Sequence, residues 1–276
     1  MKNQNNFFYL EYGLLFGLYL FSIFTVVATA YLAGYENFLK EMTHENGVFE
    51  TLTVIWLFAT SVYGFYALYS FRGQLSKYIS LLILAVSLLT FVAGMEEISW
   101  GQQLFHFESS HYFVEHNLQK ETNLHNLVDA NLFSSLIYST IYTLFVFLPL
   151  LFRLFVKEKN YFDFIGLNHI LIILFSSSFQ LYFYNDFGVY ADMATQVVAL
   201  ILMGYVLWRE GSSLLTKIHY FVVLSATMIF MLTHEVFRFL NMQYEIREMF
   251  VTFGFLLIFI SFIKHYYSLF NREQRV

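Results

Sequence analysis

The chain has 276 residues, of which 58% are hydrophobic and only 13% charged, and its formal net charge is -5. With a mean hydropathy of +0.57, it has too little polar surface to solvate a single water-soluble core, which excludes a soluble globular domain. The acidic balance offers nothing to nucleic acid, and the lack of cysteine removes disulfides, thiolate metal ligands and a cysteine nucleophile together.

The fold class these numbers leave is all-α, a polytopic transmembrane helix bundle forming one membrane domain over 1–276. Crossing about 30 Å of hydrocarbon takes roughly 20 apolar residues. On that measure about eight spans are expected, at 12–34, 49–71, 79–100, 132–153, 165–185, 189–208, 216–238 and 247–268. The first follows a polar, Asn-rich start without a small-residue cleavage pattern, so it reads as a retained helix. Its Gly13 and Gly17 have the spacing that lets membrane helices approach closely.

The connection at 103–131 is too polar for lipid and is expected to form a short helical exoplasmic cap or lid. Ser109 and Ser110 are placed to cap one short helix carrying Tyr112, Phe113 and Glu115. Thr122 is placed to open a second, with Leu124, Leu127 and Val128 on one apolar face. Pro149, the only proline, is expected to kink the fourth span. A few residues around Asp186 and Gly188 separate the fifth and sixth spans, so seven spans with one re-entrant segment is the competing count.

Lys and Arg in short loops accumulate on the cytoplasmic side. Under the eight-span count eleven of the 15 basic residues fall on one side, leaving Lys40, Lys120, Arg238 and Arg247 on the other. Both termini are therefore expected in the cytoplasm. Most carboxylates lie outside, which orientation does not require and which directs attention to the exoplasmic face.

On that face the count brings several chemistry-bearing residues to one membrane depth. Glu50 opens the second span, Glu96 and Glu97 end the third, and His125 precedes the fourth. Asp192 begins the sixth, His234 and Glu235 end the seventh with Arg238 one turn on, and Glu245 and Glu248 begin the eighth. Glu96, Glu97, His125 and Glu235 are the candidate catalytic acids and bases. His125, His234 and Glu97 are the candidate ligands for a divalent metal, zinc being the best match to imidazole and carboxylate. Glu50, Asp192, Arg238 and Trp100 are candidates to hold a substrate, with Arg238 suited to an anion and Trp100 to the membrane boundary. Each has a plainer role as a brace between helices, but ionisable groups inside a membrane more often mark function.

The Glu-Glu-Ile-Ser-Trp-Gly-Gln segment, Glu96 to Gln102, followed by Asn-Leu-Gln-Lys-Glu-Thr-Asn-Leu-His-Asn, Asn117 to Asn126, resembles a pattern in uncharacterised bacterial multi-pass membrane proteins. That resemblance implies a bacterial inner-membrane setting. The carboxylates and histidines at one end of a bundle are also similar to the membrane hydrolase superfamily that includes alkaline ceramidases. That family carries a His-x-x-x-His ligand pair in a late helix, where this chain has His234 followed by Arg238.

The leading expectation is a membrane-embedded enzyme that hydrolyses a lipid or lipid-linked substrate, with membrane lipid as its surroundings. A proton- or cation-coupled transporter or channel is the alternative, and a membrane sensor or interaction protein is the third class.

Overall fold

The computed structural model describes residues 13, 15–24, 47–127, 130–156, 162–179, 186–232 and 243–273, and all regular structure among them is helical. In chain order the helices are α1 (Leu15–Phe24), α2 (Val48–Ser70), α3 (Lys77–Glu97), α4 (Gln102–Phe105), α5 (His111–His116), α6 (Ala130–Tyr142), α7 (Leu148–Phe155), α8 (Leu167–Ser177), α9 (Asp186–Glu210), α10 (Leu214–Leu232) and α11 (Gln243–Glu273).

Six segments among the described residues are long and apolar enough to cross a membrane: Val48–Ser70, Lys77–Glu97, Leu136–Phe155, Ala191–Glu210, Leu214–Leu232 and Glu245–Phe270. They coincide with the second, third, fourth, sixth, seventh and eighth expected spans. The first and fifth are represented by the shorter apolar helices Leu15–Phe24 and Leu167–Ser177, and 180–185 lies outside the described residues. At 1.5 Å per residue α8 is only about 16 Å long, roughly half the hydrocarbon thickness.

Helix is the form in which an apolar segment satisfies its own backbone in lipid. The hydroxyls follow the same rule: Thr53, Thr60, Ser87 and Thr90 each donate to the carbonyl four residues earlier, on Phe49, Trp56, Ile83 and Val86. Ser76 starts α3 by accepting the Ile79 N–H at 3.3 Å. The expected distortion at Pro149 takes the form of a π turn over Thr143–Phe147 that joins α6 to α7, with the Leu148 N–H reaching back to the Thr143 carbonyl. Widening the helix there makes room for a proline that has no N–H and crowds the carbonyl four residues earlier.

The core is built around α8, which is buried continuously from Ile170 to Ser177. An apolar helix with no polar face belongs inside a bundle. Tyr19 stacks on Phe175 at 3.8 Å between ring centroids, and Phe250 and Phe179 close on the same ring at 4.9 and 5.4 Å. On the opposite flank α2, α3 and α11 pack together. A Cβ at Gly64 would lie 1.9 Å from Ser87 Oγ and 3.0 Å from Phe259, so this glycine sets the close approach. At Gly13 and Gly17, where packing was expected, an added Cβ meets nothing within 4 Å among the described residues.

Candidate functional site

At the end of α3 the chain turns out of the bundle through Ser99, Trp100 and Gly101, with φ values of 47°, 56° and 87°. Left-handed backbone suits glycine but costs energy at Ser99 and Trp100, so side chains must hold them there. Ser99 Oγ donates to Glu121 and accepts the Asn123 amide at 3.0 Å. Trp100 Nε1 donates to Glu96 Oε1, whose other oxygen accepts the Leu124 N–H and, at 3.1 Å, the His125 N–H.

Asn117 organises the returning strand of this connection. Its amide donates to the Asn123 carbonyl and side chain at 2.9 and 2.8 Å, and its oxygen accepts the Gln119 and Glu121 N–H groups. Gln102 donates to Ser109 at 2.8 Å and accepts the Thr122 N–H at 2.8 Å. The two sequence segments singled out above, 96–102 and 117–126, are thus the two halves of one polar clasp. Ser110 does precede α5, though without a side-chain cap bond. Thr122 joins Gln102 and Ser109 instead of capping a helix, and the second expected helix is a single 3-10 turn at His125–Leu127.

Glu97 serves a different group. Its carboxylate lies in electrostatic range of Glu248 on α11, Glu50 on α2 and Glu96 beside it. Glu50 is buried. The residue before Glu248 on α11, Arg247, is only 2% exposed and its guanidinium lies over the Tyr138 ring, 2.9 Å from the centroid. Tyr138 in turn donates to Glu248 at 3.5 Å. Tyr142, one turn further along α6, is buried and lies in electrostatic range of both Arg247 and Asp192. Glu97 on α3 thus lies in electrostatic range of carboxylates on α2 and α11, and the buried Arg247 and Tyr138 adjoin Glu248.

Among the candidate site residues Glu50, Glu97 and Asp192 belong to this constellation. Glu96 and Trp100 are engaged in the clasp. His125 sits on the clasp too, its Nδ1 3.5 Å from Glu96. Burial lowers its pKa from the ordinary imidazole value, with the Glu96 carboxylate pulling the other way. His234, Glu235 and Arg238 lie outside the described residues. Among the described residues no three His, Asp or Glu side chains are grouped to hold a metal ion. Of the candidate ligands, His125 pairs with Glu96, Glu97 lies among the carboxylates of α2 and α11, and His234 lies outside the described residues.

Arg247, Tyr138 and Tyr142 were not singled out from the sequence as site residues. The available signal was an arginine at the start of a long apolar run, one residue from a glutamate. Two further buried polar contacts lie in the bundle. Gln196 donates to Ser178 at 3.3 Å, Thr227 at 3.0 Å and the Leu174 carbonyl at 3.2 Å. His219 contacts the Tyr19 hydroxyl at 2.8 Å and Asn168 at 3.4 Å.

Fold and site together define a multi-pass helical membrane protein with a cluster of charged side chains at one end of its bundle. The chain matches no family model, no curated protein and no solved structure.

Proposed function

We propose that this chain is a bacterial inner-membrane enzyme that hydrolyses a lipid or lipid-linked substrate at the exoplasmic surface. In this reading the chain crosses the membrane eight times with both termini in the cytoplasm, and 103–131 forms the exoplasmic cap. The observation that carries it is that Glu97 lies in electrostatic range of Glu50 and Glu248 on two other helices, with Arg247 over Tyr138 and Tyr138 bonded to Glu248. Crowded carboxylates titrate apart, which gives one site an acid and a base at the same pH. Glu97 is the acid or base in this scheme, with Glu248 or Glu50 as its counterpart. One carboxylate takes a proton from water as its oxygen attacks the substrate, and the other returns a proton to the leaving group. Glu96 is then a positioning residue that holds the cap over the site. A divalent metal at His125 would need ligands from the late helix, His234 first among them.

The test is to reconstitute the purified protein in vesicles of bacterial inner-membrane lipid extract and follow each lipid class by mass spectrometry. The proposal expects one class to be consumed by the parent protein and spared by Glu97→Gln. Vesicles whose lipids stay intact, but which pass protons or cations only while Glu97 is present, would instead establish the transporter reading. That second reading has a specific basis in the buried Gln196–Ser178–Thr227 and His219–Tyr19–Asn168 contacts deeper in the bundle.

A further inference from the structure

The connection between α3 and α6 buries polar side chains and exposes several large apolar ones beside its charged surface residues. Its buried side chains are polar: Ser99, Asn117 and Asn123 are 0%, 5% and 1% exposed. Its large apolar side chains face outward, with Leu104 65%, Phe105 78%, Leu118 69% and Leu124 58% exposed. Helix α5 contributes no buried residue at all. A loop in water would put these groups the other way round, because apolar patches of this kind are rarely left uncovered.

The clasp makes the arrangement a held one. Glu96, Ser99, Gln102 and Asn117 fix the polar interior by hydrogen bonds, so Phe105 and Leu118 cannot turn inward without breaking it. The connection follows directly in the chain on α3, whose Leu88, Leu89, Phe91 and Val92 are exposed on a helix apolar enough to cross a membrane. Trp100 and Tyr112, both exposed, are the aromatic types that gather at the membrane boundary.

The geometry points to an interfacial foot: the clasped segment 102–124 lies in the lipid headgroup and upper acyl region, with Leu104, Phe105, Leu118 and Leu124 in contact with lipid. Its occupant is the bilayer surface continuous with the lipid around α3. Segments of this kind sink about 5–10 Å into the headgroup and acyl boundary. The inference goes beyond the hydrolase reading and does not depend on it, since it concerns where the segment sits and not what reacts.

The chain has no cysteine, so single substitutions take a spin label at one place. Phe105→Cys, Leu118→Cys and His111→Cys, in the full-length protein, are labelled and reconstituted in phosphatidylethanolamine and phosphatidylglycerol vesicles. His111, whose side chain is 87% exposed and pairs with Glu115, is the water-facing control. Variants that keep the parent's melting temperature are read for collision with oxygen, which concentrates in lipid, and with a water-soluble nickel chelate. Labels at 105 and 118 should favour oxygen over nickel several-fold more than the label at 111. Equal nickel access at all three positions would overturn the inference. So would labels at 105 and 118 shielded from both reagents, with dipolar broadening identifying a second copy as the cover and its absence indicating burial within the same chain.

Discussion

Glu96 and Glu97 are consecutive in the chain and serve different partners. Glu96 accepts the backbone N–H groups of Leu124 and His125, whereas Glu97 acts electrostatically on Glu248 and Glu50 across the bundle. Successive helical positions are about 100° apart, so the end of α3 turns its two carboxylates toward different partners, the clasp for Glu96 and the carboxylates of α2 and α11 for Glu97. The division makes the two residues separable by experiment.

Replacing Glu96 with Ala removes the acceptor for Trp100, Leu124 and His125 at once. A hydrogen bond to a charged group contributes about 1.5–3 kcal/mol, so a loss of that order is expected. The melting temperature should fall, and Lys120, held in a left-handed turn by the clasp, should become a site of trypsin cleavage. Unchanged cleavage at Lys120 in Glu96→Ala would show that the clasp does not depend on this carboxylate.

Glu97→Gln should have the opposite profile. An amide cannot ionise and so never adds to the repulsion among these carboxylates, and the variant should melt at the parent's temperature or above it. Lipid turnover should fall by on the order of 10²–10⁴, the contribution of a positioned acid or base. A stable Glu97→Gln protein with full turnover would take this residue out of the reaction.

The six long apolar segments were legible because lipid permits little but helix and because twenty apolar residues in a row leave a plain trace. The nearness of Glu97 to Glu50 and Glu248 has a trace in the sequence, since all three stand at ends of long apolar helices. The division between Glu96 and Glu97 was not legible, since their role depends on the path of a polar connection whose bonds join residues more than twenty positions apart. Arg247 escaped notice because counting it as an outward loop charge satisfied the topology, while the structure buries it against Tyr138.

That burial gives Arg247 a large expected effect. Removing one member of a buried charged group leaves the others uncompensated, typically at about 3–5 kcal/mol. Arg247→Ala should therefore unfold far more readily than the parent in detergent. Arg247→Lys should recover only part of the loss, because an ammonium lacks the flat face that lies over the Tyr138 ring. Equal melting of all three proteins would remove Arg247 from the structural account.

His125 carries a pH signature. Its pKa is lowered in the folded protein, chiefly by burial, so below the ordinary imidazole value of about 6.5 the unfolded chain binds more protons there than the folded one. Stability from this site is complete above that value and falls with acidification until the folded pKa is passed. The melting temperature of the parent should drop more between neutral and mildly acidic pH than that of His125→Gln. Glu96→Gln should enlarge the drop, because the Glu96 charge opposes the lowering. Parallel pH profiles for parent and His125→Gln would contradict this placement of the imidazole.

The packing of α2 on α3 can be tested apart from the charged groups. A methyl at Gly64 would meet Ser87 Oγ and the Phe259 ring, and the hydroxyl can retreat only by giving up its 2.7 Å bond to the Ile83 carbonyl. Overpacking of this kind costs about 1–3 kcal/mol, so Gly64→Ala should lower the melting temperature. Adding Ser87→Ala takes away the clashing oxygen and should restore part of the loss, leaving the milder contact with Phe259. A double variant no more stable than Gly64→Ala would place the strain at Phe259 rather than Ser87.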